Sequence, residues 1–304
     1  MIAQTLMDGL IAGSMIGLGA IGITLTYSIL RFANFAHGDL ISWSAYFALS
    51  ISTLLGTLAP GLATSVAPFS FGWSLPIGLA ASIVLTALLA LAVDWLLFAR
   101  LRRRGGAIII LVMAGFGAAL ALRSFLEFLF TSKPYYFTDA LQIAHPLAGG
   151  ARATADQLLA LGLAVVLVAL VHLILTRTAA GRAMRAVSEN QALAGLAGID
   201  VARTIRLVWM FGAALAAVAG VMTGLLVQIR PHMGLDLLLP LFAAAILGGI
   251  GSVPGAMLAG LIVGIAEALC VQFVGAEWRA AVSFVILVAI LLLRPQGLFG
   301  KAAA

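Results

Sequence analysis

The sequence predicts an all-α integral membrane protein, a polytopic helical bundle with about eight or nine transmembrane segments. Of its 304 residues, 63% are hydrophobic and only 9% are charged. Soluble domains average about 45–50% apolar and about 25% charged residues, because a folded surface in water must be covered largely by polar groups. A chain with so few charges lacks such a cover, so its composition fits a lipid bilayer.

Eight apolar stretches are long enough to cross the bilayer as helices. A crossing needs about 20 apolar residues, since each helical residue rises about 1.5 Å through a core about 30 Å thick. The stretches lie near 5–30, 35–58, 75–99, 107–130, 155–176, 204–228, 253–274 and 278–294. They cover the chain nearly end to end, so residues 1–304 are expected to form one transmembrane domain. A shorter stretch, 237–249, would reach only about 20 Å as a tilted span, a half-helix or a re-entrant element.

The Lys and Arg residues predict the orientation, because loops rich in these residues stay in the cytoplasm. They collect at Arg31, Arg100, Arg102, Arg103, Arg104, Arg177, Arg182, Arg185, Arg203, Arg206, Arg294 and Lys301. If 237–249 crosses the membrane, all of these residues face the cytoplasm, and the N-terminus lies outside while the C-terminus lies inside. The net charge of +6 is then a topology signal, and no nucleic-acid partner is expected.

Glycine spacing indicates how the helices meet. Gly9, Gly13 and Gly17 are four residues apart. The same spacing relates Gly212, Ala216, Gly220 and Gly224. Small residues at this spacing stack on one helix face and let backbones approach closely. The pattern is typical of ordinary membrane helix packing and also of packing around a pathway that rearranges.

Motifs of several enzyme classes are absent from the sequence. It has no G-x-x-x-x-G-K-S/T phosphate loop, no H-E-x-x-H zinc motif and no G-x-S-x-G nucleophile elbow. Residues 36–39 (AHGD) share only part of the intramembrane aspartyl protease motif, and no second intramembrane Asp matches them. The single Cys270 has no partner for an internal disulfide. We therefore expect no catalytic, cofactor or metal site in this chain.

The longest charged stretch, 177–206, is expected to form a short helix on the cytoplasmic surface. Residues 182–196 contain good helix formers and no Pro, and Gly195 and Gly198 follow as interruptions. Arg185 and Glu189 are four residues apart and can pair on one face. The stretch is either a solvated loop that carries only the topology signal, or a helix that receives force from another subunit.

Four motifs stand in order along most of the chain. They are 34–39 (NFAHGD) followed by Ala45 and Tyr46, 182–190 (RAMRAVSEN) followed by Gly198 and Ile199, 248–256 (GGIGSVPGA), and 294–300 (RPQGLFG). Together they resemble the motifs of LivH-type permeases, the membrane subunits of branched-chain amino acid ATP-binding-cassette (ABC) importers. Ser188 is a mild departure, since Ala is common before the Glu in that family.

The resemblance implies a transport subunit that forms half of a translocation pathway in the bacterial inner membrane. It implies four kinds of neighbour: the lipid bilayer, a second homologous permease, two cytoplasmic ATPase subunits and an extracytoplasmic solute-binding protein. ATP and Mg would be bound by the ATPase subunits, and this chain would bind neither. The substrate stays open between branched-chain amino acids, other amino acids and urea.

The resemblance also implies roles for two of the motifs. The ATPase-coupling loop would contain Arg182, Arg185, Glu189, Asn190 and Gly198. The glycine-rich motif would supply packing or hinge positions at Gly248, Gly249, Gly251, Pro254 and Gly255.

Polar residues at membrane depth are costly, so each is a candidate for the pathway or a gate. Asn34, His37 and Asp39 begin the second segment. They would form either an inner-gate network or a capped helix end at the interface, with Asp39 pairing with Arg31 or favouring the helix N-terminus. Glu267 lies deep in its segment with no evident local partner, and is expected to face the pathway or another subunit.

Two further sets of charges lie near the opposite membrane surface from the Arg-rich loops. Arg123 and Glu127 are four residues apart and are expected to neutralise each other. Candidates for docking the binding protein are Lys133, Asp139, Arg152, Asp156, Arg230, Asp236, Glu277 and Arg279. The alternative function is a stand-alone secondary transporter with Asp39 or Glu267 as its proton site.

Overall fold

The computed structural model describes residues 2–138, 142–147 and 150–300, and these residues are mostly helical. Lys301 and Asp139, two residues of the predictions above, lie outside the described ranges. In chain order the helices are α1 (Ile2–Leu30), α2 (Ala36–Leu58), α3 (Pro60–Ala63), α4 (Ser74–Val93), α5 (Ala99–Arg103), α6 (Ile108–Phe130), α7 (Ala155–Arg177), α8 (Ala179–Glu189), α9 (Gln191–Leu196), α10 (Val201–Leu226), α11 (Met233–Gly248), α12 (Val253–Phe273) and α13 (Arg279–Leu293).

Three small elements complete the described structure. A π-helical turn, Asp94–Phe98, joins α4 to α5, and a 3-10 turn, Ala276–Trp278, precedes α13. Two short antiparallel strands, β1 (His145–Pro146) and β2 (Arg152–Ala153), form a small hairpin before α7.

Eight helical stretches are long and apolar enough to cross a membrane, which confirms the eight predicted segments. They are Ile2–Leu30, Ala36–Leu58, Ser74–Arg103, Ile108–Phe130, Ala155–Arg177, Val201–Leu226, Val253–Phe273 and Ala276–Leu293. The remaining apolar helix, α11, has 16 residues and therefore extends only about 24 Å along its axis. It begins at Met233, four residues before the predicted stretch 237–249.

Helices α1 and α12 touch backbone against backbone along the glycine stripe of α1. A Cβ atom on Gly9 would lie 2.7 Å from the Cα of Ile265, and one on Gly13 would lie 2.8 Å from the carbonyl oxygen of Gly260. A Cβ atom on Gly260 would in turn overlap the backbone of Gly17. Van der Waals packing drives helix association in lipid, so this side-chain-free contact is a main source of cohesion in the bundle.

The short helix α11 meets α2 in the same way. A Cβ atom on Gly38 would lie 2.5 Å from the carbonyl oxygen of Gly234. The backbone N–H of Gly234 donates to the hydroxyl of Ser42 at 2.9 Å. These contacts bring the first turns of α2 and α11 side by side within the bundle.

Hydrogen bonds between segments that are distant in the sequence show which loops lie at the same end of the bundle. At one end, Gln191 donates to the carbonyl of Ile29 at 2.6 Å, and the N–H of Gly251 donates to Thr24 at 2.8 Å. At the other end, the N–H of Arg152 donates to the side chain of Gln4 at 2.7 Å. The central loop and the α11–α12 turn therefore share an end, as the predicted topology requires. Which membrane side each end faces stays a prediction.

Replacing Gly260 by Val is expected to destabilise the protein, because the added methyl groups would have to displace the backbone of α1. Overpacking of this kind costs about 1–3 kcal/mol. Gly117, a glycine of α6 where an added Cβ atom would meet no atom within 4 Å, offers the matched control Gly117→Val. The thermal unfolding midpoint in detergent should fall for Gly260→Val and hold for Gly117→Val, and equal midpoints would contradict the packing described above.

Candidate functional site

The first motif places three polar side chains where α2 begins, and all of them are buried. Asn34 is 2% exposed, and His37 and Asp39 are 1% exposed. The side-chain oxygen of Asn34 accepts from the N–H of Ala36 at 3.2 Å, which satisfies one free amide of the first turn. The ring of His37 lies against α1, where a Cβ atom on Gly22 would be 2.7 Å from its Cε1. These residues thus lie inside the bundle, not at an exposed helix end.

Asp39 pairs with Arg123 of α6, so the expected pair with Arg31 is wrong. The Nε and one terminal nitrogen of Arg123 donate to the two carboxylate oxygens at 3.1 and 3.2 Å, a fork with two parallel hydrogen bonds. Arg31 is turned away because its backbone has a φ of 59° and its guanidinium donates to the carbonyl of Ser188 at 2.9 Å.

The expected neutralisation of Arg123 by Glu127 is also wrong. A carboxylate oxygen of Glu127 lies 2.7 Å from Nε2 of His232, the residue that directly precedes α11. The two charges on α6 therefore contact different neighbours, Arg123 reaching α2 and Glu127 reaching the start of α11. Sequence reasoning missed His232, although a lone His directly before a short apolar helix is a signal that could have singled it out.

Three phenylalanines lie beside these ion pairs, toward the N-terminal end of α6. Phe35, in the turn before α2, packs edge-to-face on Phe116 of α6 with ring centroids 6.2 Å apart. It also contacts Phe242 of α11 at 5.5 Å. The start of α2 thus forms the floor of a groove whose walls are α6 and α11. We call it the α6–α11 groove, and it contains Phe35, Asp39, Phe116, Arg123, Glu127, His232 and Phe242.

Glu267 does have a partner, so the expectation of an unpartnered carboxylate is wrong. It is 2% exposed, and it accepts from Nε of Arg279 at 2.7 Å and from the hydroxyl of Ser283 at 2.5 Å. Both partners belong to α13, so they reach Glu267 only when α12 and α13 fold back on each other. Its contacts fasten this helical hairpin.

The central loop forms two helices, so the single helix expected over 182–196 is wrong. The first helix, α8, starts earlier because the hydroxyl of Thr178 accepts from the N–H of Gly181 at 3.1 Å. The break falls at Asn190, whose side-chain oxygen accepts from the N–H of Leu193 at 3.0 Å and so caps α9. Asn is among the strongest helix-capping residues, and here that local bond ends one helix and begins the next.

Gly198 turns the chain from α9 toward α10. Its φ is +84°, a left-handed conformation that glycine adopts without the steric cost that a Cβ atom would bring. Asp200 then caps α10 by accepting from the N–H of Arg203 at 2.9 Å. The turn expected at Gly198 is therefore present.

The two loop helices differ in what they expose. Helix α8 buries Met184 and Val187 against the bundle. Helix α9 leaves Leu193 64% exposed and Leu196 87% exposed. The loop is thus held on the protein by α8 and presents an apolar edge through α9.

The glycine-rich motif and the C-terminal motif form one unit. The N–H groups of Leu298 and Phe299 donate to the carbonyls of Leu247 and Gly248 at 2.7 and 3.3 Å. Gly249 and Gly251 have φ values of 91° and 89°. The C-terminal segment lies against the α11–α12 turn at Gly249, where an added Cβ atom would be 2.5 Å from the backbone nitrogen of Gly300.

The start of α12 continues this unit. Ser252 caps the helix by accepting from the N–H of Gly255 at 3.1 Å, and Pro254 occupies the first turn. A Cβ atom on Gly255 would overlap the carbonyl of Gly248. Of the residues expected at packing or hinge positions, Gly248, Gly249 and Gly255 lie at close backbone contacts, and the hinge role stays a prediction.

Of the expected docking charges, Asp156 is buried and Arg279 is half exposed but paired within the protein. Asp156 is 1% exposed and accepts from the N–H of Ser70 at 3.2 Å and from Gln142 at 2.7 Å. It ties the segment before α4 to the segment before α7, so its assignment to the docking surface is wrong. Arg279 is held by Glu267, as described above.

Comparison with known proteins supports the family that these motifs resemble. The family described as "Branched-chain amino acid transport system / permease component" matches residues 5–291. The chain is 33% identical to the high-affinity branched-chain amino acid transport system permease protein LivH of Escherichia coli K12, over 98% of this chain and 95% of that protein. It is 32% identical to the corresponding permease protein BraD of Pseudomonas aeruginosa, with the same shares of the two chains covered.

A solved structure shares the fold at much lower sequence identity. A chain in the structure of PsaBC from Streptococcus pneumoniae in complex with Fab matches with a TM-score of 0.50 and 13% identity, over 95% of this chain and 91% of that chain. The family match and the two permease relatives extend over nearly the whole sequence, and the four motifs lie in the order seen above. The chain belongs to the family of branched-chain amino acid transport system permease components.

Proposed function

We propose that this protein is the membrane-spanning permease subunit of an ABC importer and forms half of the translocation pathway for branched-chain or related amino acids. The observation that carries the proposal is the match to permease proteins over 98% of the chain. The proposed complex contains a second homologous permease, two cytoplasmic ATPase subunits that bind ATP and Mg, and an extracytoplasmic solute-binding protein. Its location is the bacterial inner membrane.

The need for a second permease is supported by the α6–α11 groove. The side chains of His232 and Glu127 are 52% and 31% exposed. Glu127 lies in the last turn of α6 and His232 directly precedes α11, and ionisable groups of membrane proteins avoid lipid and face protein or water. A second permease opposite the groove would close it, and the pathway would then lie between the two subunits.

The apolar edge of α9 is the proposed contact with an ATPase subunit. Leu193 and Leu196 lie on α9, which packs against the charged helix α8. Apolar side chains surrounded by polar ones are typical of protein interfaces, where a few buried anchors carry most of the binding energy.

Two hydrogen bonds connect this loop to the end of α1, which leads toward the floor of the α6–α11 groove. Arg31 donates to the carbonyl of Ser188, and Gln191 donates to the carbonyl of Ile29. Residues 31–35 follow directly and lead into the buried start of α2. A displacement of the loop by an ATPase would therefore act on the end of α1 and on the groove floor, which is a direct mechanical route for coupling.

The alternative of a stand-alone secondary transporter gains no support from its two carboxylates. Asp39 is held by Arg123, and Glu267 is held by Arg279 and Ser283. Both carboxylates are engaged in joining helices.

The orientation can be tested with single cysteines in a Cys270→Ala background. We expect an impermeant thiol reagent outside intact cells to label Cys at Ser132, in the loop after α6, and not Cys at Ala192 in α9. Both positions are exposed, so a difference reports membrane sidedness. Labelling of the Ala192 position after permeabilisation is the control, and the reverse pattern in intact cells would invert the topology.

Leu196→Glu is expected to lower the affinity of the permease for the ATPase subunit by tenfold or more. A charge would replace an apolar anchor that contributes about 1.4 kcal/mol or more to binding. Leu196 is 87% exposed, so the permease itself should fold normally. Ala107→Glu, at an exposed position of the same bundle end, is the matched control. Co-purification and substrate-stimulated ATP hydrolysis are the measurements, and equal results for the two variants would remove α9 from the interface.

Gly198→Val should uncouple ATP hydrolysis from uptake, since a β-branched residue in the left-handed region costs at least about 1–2 kcal/mol and would shift α9. There is no atom within 4 Å of a Cβ at this position, so the effect is conformational and not steric crowding. Gly198→Asn is the control, because Asn tolerates positive φ. Coupling ratios that are equal in the Val and Asn variants would show that the turn geometry is unimportant.

A further inference from the structure

We propose that the α6–α11 groove holds the substrate in transit and selects a zwitterionic amino acid with an apolar side chain. In this assignment Arg123 and Glu127 bind the α-carboxylate and the α-ammonium group, and Phe35, Phe116 and Phe242 receive the side chain. The inference rests on the proposed function in import, and it assigns residues of this chain to the binding and selection of the substrate.

One face of α6 carries both the apolar and the charged side chains that would bind such a substrate. Phe116, Leu120, Arg123 and Glu127 are spaced four, three and four residues apart, which places them in one stripe along the helix. Phe116 and Leu120 are 51% and 46% exposed. The stripe is therefore apolar and exposed toward one end and charged toward the other, where the side chain of Arg123 is 11% exposed.

The opposite wall of the groove repeats the order. On α11, Phe242 lies at the end where Phe116 lies, and Leu235, 40% exposed, lies near His232 at the charged end. The Glu127–His232 contact and the Phe35 ring join the two walls at the two levels. The groove thus has a charged tier and an aromatic tier, both built from the same three helices.

The charged tier retains binding capacity after its internal pairing. The fork to Asp39 occupies Nε and one terminal nitrogen of Arg123, which leaves further N–H groups of its five for a carboxylate. Glu127 contacts His232 through one oxygen, and its other oxygen can accept from an ammonium group. Residues four apart on a helix have Cβ atoms about 5–6 Å apart, so the two opposite charges lie close enough for one small zwitterion.

The aromatic tier determines which side chain fits. An aliphatic side chain against Phe35, Phe116 and Phe242 would leave water for an apolar surface, which is favourable. A charged side chain there would be desolvated without a partner, which is strongly unfavourable. Urea carries neither charge of the zwitterion and no apolar group, so it would use neither tier.

The first test asks whether the groove is a water-filled path in the assembled transporter. With Cys270→Ala as background, single cysteines replace Leu120 and Leu235 in the groove and Val166 on α7, which is 62% exposed. We expect a small cationic methanethiosulfonate reagent to modify both groove positions, and leucine with its binding protein to slow that reaction. Val166 should not react. Groove cysteines that stay inert would show that the groove is closed to water and would overturn the proposal.

The second test measures selectivity in the reconstituted complex, with the binding protein saturated by leucine or by alanine in turn. Phe116→Ala should lower leucine uptake relative to alanine uptake by about tenfold, the size of effect that one apolar contact can give. Phe128→Ala is the matched control on the same helix, since Phe128 is 82% exposed on another face. An unchanged leucine-to-alanine ratio in Phe116→Ala would contradict the role of the aromatic tier.

The two tests also separate this inference from the proposed function. If the wild-type complex imports amino acids and the groove variants behave as their controls, the groove assignment fails while the importer proposal stands. If the wild-type complex imports no amino acid, the importer proposal fails together with the substrate class inferred from it.

Discussion

Helix α1 touches α12, and α2 touches α11, with no side chain between the backbones at Gly13 and Gly38. In lipid, apolar side chains gain little by leaving a solvent that is itself apolar, so close van der Waals contact has to supply the attraction. These two contacts place α11, only 16 residues long, against the start of α2. The contact of Glu127 with His232 depends on that placement, because His232 directly precedes α11.

The buried carboxylates Asp39 and Glu267 follow a second constraint, which is that each is compensated by an Arg of a neighbouring helix. Removing one member of a buried ion pair costs about 3–5 kcal/mol, since the other charge is left uncompensated. The Asp39–Arg123 pair therefore fixes α6 on α2, and the contact of Glu267 with Arg279 fixes α13 on α12. Asp39 and Glu267, which the sequence suggests as functional residues, therefore also connect neighbouring helices.

Hydropathy was sufficient to predict the eight long helices, because the length and polarity of each span are local properties. The partners of Asp39, Glu127 and Glu267 could not be predicted, because local rules compare only residues three or four apart. Asp39 and Arg123 are 84 residues apart, and their contact depends on how α2 and α6 pack. The break at Asn190 was missed for a different reason: propensity favoured a continuous helix, and one side-chain cap outweighed it.

Arg31 is one of two non-glycine residues with positive φ in the part of the chain that the structure describes. A left-handed backbone at such a residue is unfavourable by about 1–2 kcal/mol, and it persists only where surrounding contacts hold it. The contact here is the bond from its guanidinium to Ser188. The surface loop therefore helps to hold a strained backbone in the short connection between α1 and α2, and loss of this bond would let the connection relax.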